Sequence, residues 1–205
     1  FARLQHAPTM LGRAIEKTLF GLALMIFPIT VGLLFHIAPA VALIPRYSKW
    51  EPALISFYLL AVTSAIASLS VPLTNALNAV GKIKITLYLM VMWTVASWVL
   101  TVVLISLFGF NGVALAALLV VTSIVVVVTL VKKIAPFSFI SSILYPFLGA
   151  FLMSLWYLLW RGGPPYNLGR MFLVGISGVI LYLGVLTLME KERIRSLMRD
   201  FLNLK

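Results

Sequence analysis

Charged positions along this chain occur in six short clusters, separated by long stretches without any charge. The clusters hold all 16 basic and all five acidic residues. The uncharged stretches are 18–45, 52–81, 85–131, 134–160 and 171–189. A helix needs about 20 mostly apolar residues to cross the roughly 30 Å of a bilayer's hydrocarbon core. Four stretches therefore predict one membrane span each. The stretch 85–131 is too long for one span, and the turn signal Gly109-Phe-Asn-Gly112 divides it into two.

The pattern predicts an all-α integral membrane protein with six transmembrane helices. The spans are expected at about 17–37, 52–77, 85–108, 112–131, 137–160 and 170–189. Residues 1–16 predict a polar cytoplasmic lead-in that ends in a short amphipathic helix. Because the chain begins at Phe1 and not at a methionine, we expect it to be a piece of a longer protein.

The tail, residues 190–205, predicts an amphipathic helix on the cytoplasmic membrane surface. Its apolar residues recur at helical spacing and share one face, with basic residues away from it. The apolar face consists of Ile194, Leu197, Met198, Phe201 and Leu202.

Composition supports the membrane assignment and excludes thiol chemistry. The chain is 62% hydrophobic and only 10% charged, which is far from the composition of soluble globular domains. It contains no cysteine, which rules out disulfides, thiolate metal sites and thiol nucleophiles within it.

The 16 basic residues behind the net charge of +11 separate by membrane side when the side is changed at each of the six predicted spans. One face collects 12 basic residues: Arg3, Arg13, Lys17, Lys82, Lys84, Lys132, Lys133, Lys191, Arg193, Arg195, Arg199 and Lys205. The other collects four: Arg46, Lys49, Arg161 and Arg170. Short loops rich in Lys and Arg stay in the cytoplasm, so both ends are predicted to be cytoplasmic. We interpret the charge as topology and attraction to anionic headgroups, and expect no nucleic-acid partner.

The second predicted span is the most polar. Its small and polar residues follow one another at spacings of four, three, four and four, which places them on one helical face. They are Thr63, Ala67, Ser70, Thr74 and Asn78. Pro72 interrupts the same helix and removes one backbone hydrogen bond, a loss tolerated in membranes where neighbours or a cavity satisfy the freed carbonyl. Two interpretations stay open: the hydroxyls allow close helix packing, or they line a polar cavity.

No arrangement of residues indicates catalysis, a metal site or a cofactor. All five carboxylates lie at or beyond span ends, and none lies inside a span where intramembrane charges mark ion or proton pathways. His6 and His36 are far apart and have no carboxylate near them in sequence. For His36, an interfacial polar role and a proton-coupling role are both open.

Two segments resemble a known family. They are Asn75-Ala-Leu-Asn-Ala-Val-Gly-Lys-Ile-Lys84 and Leu107-Phe-Gly-Phe-Asn-Gly-Val-Ala-Leu-Ala116. Both resemble turns of the polysaccharide (O-antigen type) flippases, members of the multidrug/oligosaccharidyl-lipid/polysaccharide exporter superfamily. The lead-in Phe1-Ala-Arg-Leu4 is similar to the linker before the second half of such transporters. The resemblance covers the whole chain in span order and is strongest over 72–117.

This resemblance implies two six-helix lobes that rock about a central cavity by alternating access. The chain would be the C-terminal lobe, with the N-terminal six-span lobe in the same parent chain. The implied substrate is a polyprenyl-pyrophosphate-linked oligosaccharide, flipped for polysaccharide biosynthesis, and membrane lipids are the other partners. Candidates for the substrate cavity are Thr63, Ser70, Thr74, Asn75 and Asn78. Lys82 and Lys84 are candidates for attracting phosphate, although ordinary topology-setting charge is the favoured explanation for both. The resemblance also implies that the membrane is the plasma (inner) membrane.

Three alternatives compete with the flippase. A multidrug exporter of the same superfamily would be favoured by an acidic residue inside a span, and the chain has none. A membrane-embedded enzyme of polyprenyl-phosphate chemistry needs clustered Asp, Glu or His at one membrane face. A purely structural partner subunit is favoured only if the chain is complete. The sequence therefore predicts a transporter and not an enzyme.

Overall fold

The computed structural model describes residues 7–161 and 167–202, with only the backbone described at 161, 197–198 and 200–202. Every regular element in these ranges is helical. The α-helices are α1 (Pro8–Leu43), α2 (Leu54–Ala79), α3 (Ile83–Phe108), α4 (Asn111–Val121), α5 (Ile124–Lys132), α6 (Phe139–Arg161), α7 (Leu168–Met189) and α8 (Lys191–Leu202). A short 3₁₀ helix, Ser48–Ala53, precedes α2.

Six segments of the described chain are long and apolar enough to cross a membrane. Four of them are α1, α3, α6 and α7; the 3₁₀ helix continues into α2 as a fifth, and α4 with α5 forms the sixth. The prediction of an all-α membrane protein with six transmembrane helices is confirmed.

The first helix is longer than the sequence predicted. It begins at Pro8 and ends at Leu43, whereas the span was expected at about 17–37. The described part of the predicted lead-in therefore belongs to the same helix, and residues 1–6 lie outside the described residues. Leu11, Ile15 and Leu19 explain the extension, because they recur every four residues and are almost completely buried. Proline at the first helical position is compatible with this start, since the nitrogen there has no helical acceptor.

The turn between α3 and α4 occurs where the sequence predicted it. α3 ends at Phe108, and Gly109 adopts a left-handed backbone with φ of 58°, a conformation that a side chain would disfavour. Two residues later α4 begins at Asn111, whose side-chain oxygen accepts a hydrogen bond of 2.7 Å from Ser56 at the start of α2.

The fourth span is broken in the middle, where the sequence predicted one helix over 112–131. α4 ends at Val121, a turn occupies Thr122 and Ser123, and α5 begins at Ile124. The Thr122 hydroxyl donates to the Leu119 carbonyl at 2.6 Å. Local hydroxyl-to-backbone bonds of this kind compete with helical hydrogen bonds and often bend a helix.

The chain divides into two compact units. Unit 1 comprises Phe1–Leu19 and Pro52–Phe139, and its described helices are the start of α1 and α2 to α5. Unit 2 comprises Phe20–Glu51 and Ile140–Lys205, with the rest of α1 and α6 to α8. The core of unit 2 is a cluster from α6 and α7: Ala150, Met153, Tyr157, Val174, Tyr182 and Leu186.

A proline in α1 is accommodated by a side chain from α7. Pro28 has no backbone N–H, so the carbonyl of Leu24, four residues earlier, loses its usual helical donor. The Tyr182 hydroxyl donates to this carbonyl at 2.9 Å. A neighbouring helix thus satisfies the group that the proline frees, as membrane helices require.

The C-terminal helix α8 forms where the sequence predicted an amphipathic tail. The Arg193 guanidinium lies 4.5 Å from the centre of the Phe20 ring and donates to the Ser141 carbonyl at 3.3 Å. Ile194 packs against the core cluster of unit 2. The other predicted apolar residues, at 197–198 and 201–202, lie outside the described side chains, so their placement on the membrane surface stays a prediction.

Candidate functional site

A cavity of about 340 Å³ lies within unit 1, among α2, α3 and the junction between α4 and α5. Its polar lining consists of five hydroxyl groups, from Thr63, Ser70 and Thr74 on α2, Ser97 on α3 and Ser123 at the junction. Trp93 supplies an aromatic wall, and the remaining lining residues are apolar.

The two threonines of α2 are anchored to their own helix. Thr63 donates to the Leu59 carbonyl at 2.8 Å, and Thr74 donates to the Val71 carbonyl at 2.9 Å. A hydroxyl that donates its single hydrogen still has lone pairs that accept hydrogen bonds. The hydroxyls of Thr63 and Thr74 are therefore suited to accept hydrogen bonds from ligand atoms.

Ser70 differs from the threonines because its Oγ is buried and has no hydrogen-bond partner among the described residues. A buried hydroxyl without a partner costs about 1–3 kcal/mol relative to a satisfied one. The Ser70 hydroxyl is able both to donate and to accept a hydrogen bond, but its oxygen is sealed from water-sized groups in this conformation.

Trp93 and Ser123 fix the far wall of the cavity. The indole Nε1 of Trp93 donates to the Ser123 Oγ at 2.7 Å and so joins α3 to the break in the fourth span. Trp98 lies on the same helix and is 72% exposed within this chain.

The remaining predicted site residues do not line this cavity. Asn75 and Asn78 are exposed, as are Lys82 and Lys84 at the start of α3. Asn75 directly follows Thr74 and so projects about 100° around the helix from it. Asn78 lies in the last turn of α2, where its carbonyl accepts a bond of 3.1 Å from the Gly81 N–H. The helical face predicted from 63 to 78 therefore meets the cavity only as far as Thr74.

The sequence did not predict Ser97 or Ser123 as cavity residues. The Thr-Ser pair at 122–123 in an otherwise Val-rich span was the available signal for the junction. No comparable signal indicated that Trp93 reaches Ser123.

The lining chemistry selects for neutral polar groups. Among the residues that the structure describes, no charged side chain lines the cavity, so nothing in this wall compensates a phosphate or a cation. The volume is near the lower end of the range of about 300–1,000 Å³ for small-molecule pockets, which gives room for one small group. Among the described residues, no cluster of three or more His, Cys, Asp or Glu could hold a metal ion.

Comparisons with known proteins support a transporter fold. No family model matches the chain, and no curated protein matches it. Among solved structures, the lipid II flippase MurJ in an inward closed conformation matches with a TM-score of 0.76 and 15% sequence identity. The match covers 94% of this chain and 42% of the flippase chain, so this chain spans less than half the length of that protein. The likeness shows the fold, and the predicted all-α architecture with six membrane helices is confirmed at that level.

Proposed function

We propose that this chain is one lobe of an alternating-access transporter that flips a polyprenyl-pyrophosphate-linked oligosaccharide across the inner membrane. The observation that carries the proposal is the match of 94% of the chain to part of a lipid II flippase at a TM-score of 0.76. The motif resemblance to polysaccharide flippases, at 75–84 and 107–116, supports the oligosaccharide as the headgroup.

The assignment to a C-terminal lobe belongs to the same proposal. The chain spans 42% of the flippase that it matches, which leaves room in such a protein for a second lobe. The 12 to 4 distribution of basic residues supports an even number of spans, with both ends in the cytoplasm. We propose that the six-span N-terminal lobe precedes this one in the same parent chain.

Within this transporter, the cavity of unit 1 receives a neutral part of the headgroup. Its hydroxyl groups match the donors and acceptors of a sugar, and its lack of charge does not suit the pyrophosphate. Lys82 and Lys84 are exposed at the start of α3 and attract the pyrophosphate by charge. Asn75 and Asn78 offer amide contacts near the end of α2, outside this cavity.

The test is a flipping assay on the full-length parent protein. Purified protein is reconstituted into liposomes with a polyprenyl-pyrophosphate-linked oligosaccharide, and the fraction accessible to an added lectin is followed over time. Transfer of the lipid between leaflets is expected only with the protein present. Absence of transfer, together with efflux of amphiphilic cations from the same liposomes, would instead support the multidrug exporter.

A matched pair of variants on α2 tests the role of the cavity. Ser70→Leu fills the cavity and removes its unpartnered hydroxyl, so transfer is expected to fall at least tenfold. Ser64→Leu makes the same change at an exposed position outside the cavity and is expected to transfer normally. Normal transfer by Ser70→Leu in an active protein would refute the role of the cavity and leave the flippase assignment intact.

A further inference from the structure

The cavity of unit 1 combines an aromatic surface with hydroxyl groups. The α3 helix contributes the Trp93 indole and the Ser97 hydroxyl, and α2 contributes the hydroxyl groups of Thr63 and Thr74. Among the described lining residues, none is charged. A ligand that matches this cavity therefore has an apolar surface next to neutral hydroxyl groups.

The Trp93 indole offers a ligand its carbon rings and not its N–H group. Nε1 carries a single hydrogen and donates it to the Ser123 Oγ at 2.7 Å. This bond also fixes the rotation of the ring, because it joins the indole to the junction between α4 and α5. The side chain is half-buried and lines the cavity. Aromatic ring faces carry partial negative charge, so they attract the weakly positive hydrogens of C–H groups.

Ser97 and Thr63 lie at similar depth, beyond the indole. Ser97 follows Trp93 by four residues, which places it on the same helical face about 6 Å further along α3. The α2 and α3 helices are joined by a short turn at 80–82 and run in opposite directions. At 1.5 Å per residue from that turn, Trp93 lies at roughly 15 Å, Ser97 at roughly 21 Å and Thr63 at roughly 24 Å. Two hydroxyl groups from different helices therefore lie at one end of the space beside the indole.

These two hydroxyl groups complement each other. Thr63 donates its hydrogen to the Leu59 carbonyl at 2.8 Å, so its oxygen is left to accept. The Ser97 hydroxyl is able both to donate and to accept. A ligand hydroxyl at this end of the cavity is therefore able to donate to Thr63 and to donate to or accept from Ser97.

A pyranose sugar with equatorial hydroxyl groups has a matching division of surfaces. Its axial C–H bonds form an apolar face on each side of the ring, and its hydroxyl groups project from the rim. When one face stacks on an indole, the rim hydroxyl groups stay free to bond with side chains beside the ring. The cavity volume of about 340 Å³ is near the lower end of the range for small-molecule sites, which suits a single sugar ring.

We propose that Trp93 determines the sugar specificity of this cavity by stacking on the C–H face of a pyranose in the gluco configuration. Thr63 and Ser97 bind hydroxyl groups at the rim of that ring. The inference rests on the proposed function, in which this cavity receives a neutral part of the headgroup, and it adds the class of sugar and the residue that selects it. Sugars with axial hydroxyl groups on both faces fit worse, because an axial hydroxyl separates the C–H face from the indole.

The experiment measures binding of methyl β-D-glucopyranoside to the full-length parent protein in lipid nanodiscs by saturation-transfer NMR, with empty nanodiscs as the blank. Methyl β-D-gulopyranoside is the comparison probe. It has the same atoms, but its hydroxyl groups on the third and fourth carbons are axial and lie on opposite faces of the ring. We expect the wild-type protein to bind the glucoside roughly three- to tenfold more tightly, the effect of an aromatic stacking contact.

Three variants separate stacking from a structural role of Trp93. Trp93→Leu removes both the aromatic face and the N–H donor and should abolish the preference for the glucoside. Trp93→Phe also loses the donor but keeps an aromatic face, so it should retain part of the preference. Trp98→Leu changes an exposed tryptophan of the same helix and should bind both probes as the wild-type protein does.

Equal affinity of the wild-type protein for the two glycosides would overturn the proposal, as would the absence of saturable binding of the glucoside. A preference that persists in Trp93→Leu would also refute it. Equal loss of the preference in Trp93→Phe and Trp93→Leu would assign Trp93 a structural role through Ser123 and would contradict stacking. If Trp93→Leu does not fold, as judged by thermal unfolding, Trp93→Phe is compared with Trp98→Phe. A preference reduced only in Trp93→Phe would support the proposal, and one unchanged in both would refute it.

Binding of these probes is measured without transfer across a bilayer, so the two proposals fail in different ways. Lipid transfer by a protein that shows no preference between the glycosides would refute stacking on Trp93 and keep the flippase assignment. Absence of lipid transfer would refute the flippase assignment itself.

Discussion

The substitution Gly112→Ala should destabilise the protein because α4 packs directly against the backbone of α3 at this glycine. A Cβ at position 112 would overlap the Leu104 carbonyl group and lie 2.6 Å from the Ile105 nitrogen. Ordinary van der Waals contacts of a Cβ begin near 3.4 Å. All of these neighbours are backbone atoms of α3, so no side-chain rotation can relieve the overlap and the two helices have to separate.

Two opposing effects set the size of the change in unfolding free energy caused by Gly112→Ala. Overpacking of a tightly packed contact costs about 1–3 kcal/mol. Replacing glycine by alanine in a helix stabilises it by roughly 0.5–1 kcal/mol, because the flexible glycine backbone loses more entropy on folding. A rigid backbone overlap belongs in the upper part of the first range, so the free energy of unfolding of Gly112→Ala should fall by about 1–2 kcal/mol.

The assay is unfolding of the purified full-length protein in mixed micelles with increasing dodecyl sulfate, followed by tryptophan fluorescence. Gly184→Ala removes the same flexible glycine backbone without creating a contact, since no atom of the described residues lies within 4 Å of its added Cβ. Gly112→Ala should therefore be less stable than both wild type and Gly184→Ala. A free energy of unfolding equal to or above that of Gly184→Ala would refute the close approach of α3 and α4.

Two further substitutions test hydrogen bonds that join distant segments. Trp93→Phe removes the hydrogen-bond donor to Ser123 and should lower the free energy of unfolding by about 1 kcal/mol in the same titration. The control Trp98→Phe changes an exposed ring and should alter the free energy of unfolding little. Tyr182→Phe leaves the Leu24 carbonyl without its side-chain donor and should cost about 1–3 kcal/mol, since this carbonyl has no helical partner either.

For each of these substitutions, one experimental result would contradict the structure. Equal losses in Trp93→Phe and Trp98→Phe would show that the measured effect is loss of ring volume and not of the hydrogen bond. An unchanged stability of Tyr182→Phe would mean that the carbonyl freed by Pro28 is satisfied in another way.

The site was only partly predictable from the sequence. The spacing on α2 placed Thr63, Ser70 and Thr74 on one face, and the structure brings these three into one cavity wall. The same spacing extended the face to Asn78, which the structure leaves outside the cavity. Helical periodicity fixes the direction of a side chain around an axis, but the length of the cavity along that axis depends on where α3 and α4 pack.

What the sequence determined by itself is the number of membrane helices and the position of the turn at Gly109. Both follow from local physical requirements. Hydrocarbon excludes unpaired charge and exposed backbone polar groups, so each uncharged stretch of sufficient length must form a helix. A residue with a left-handed backbone conformation is most readily a glycine, so Gly109 marks the turn in the sequence alone.

Only the tertiary structure decided which helix faces meet. The contacts that fix the two units join residues far apart along the chain, 30 positions for Trp93 to Ser123 and 158 for Tyr182 to Leu24. In a membrane the side chains that face lipid are as apolar as those that face protein, so the hydrophobic pattern does not reveal the packed face. The break in the fourth span and the donor for the carbonyl freed by Pro28 therefore emerge only when the helices are packed.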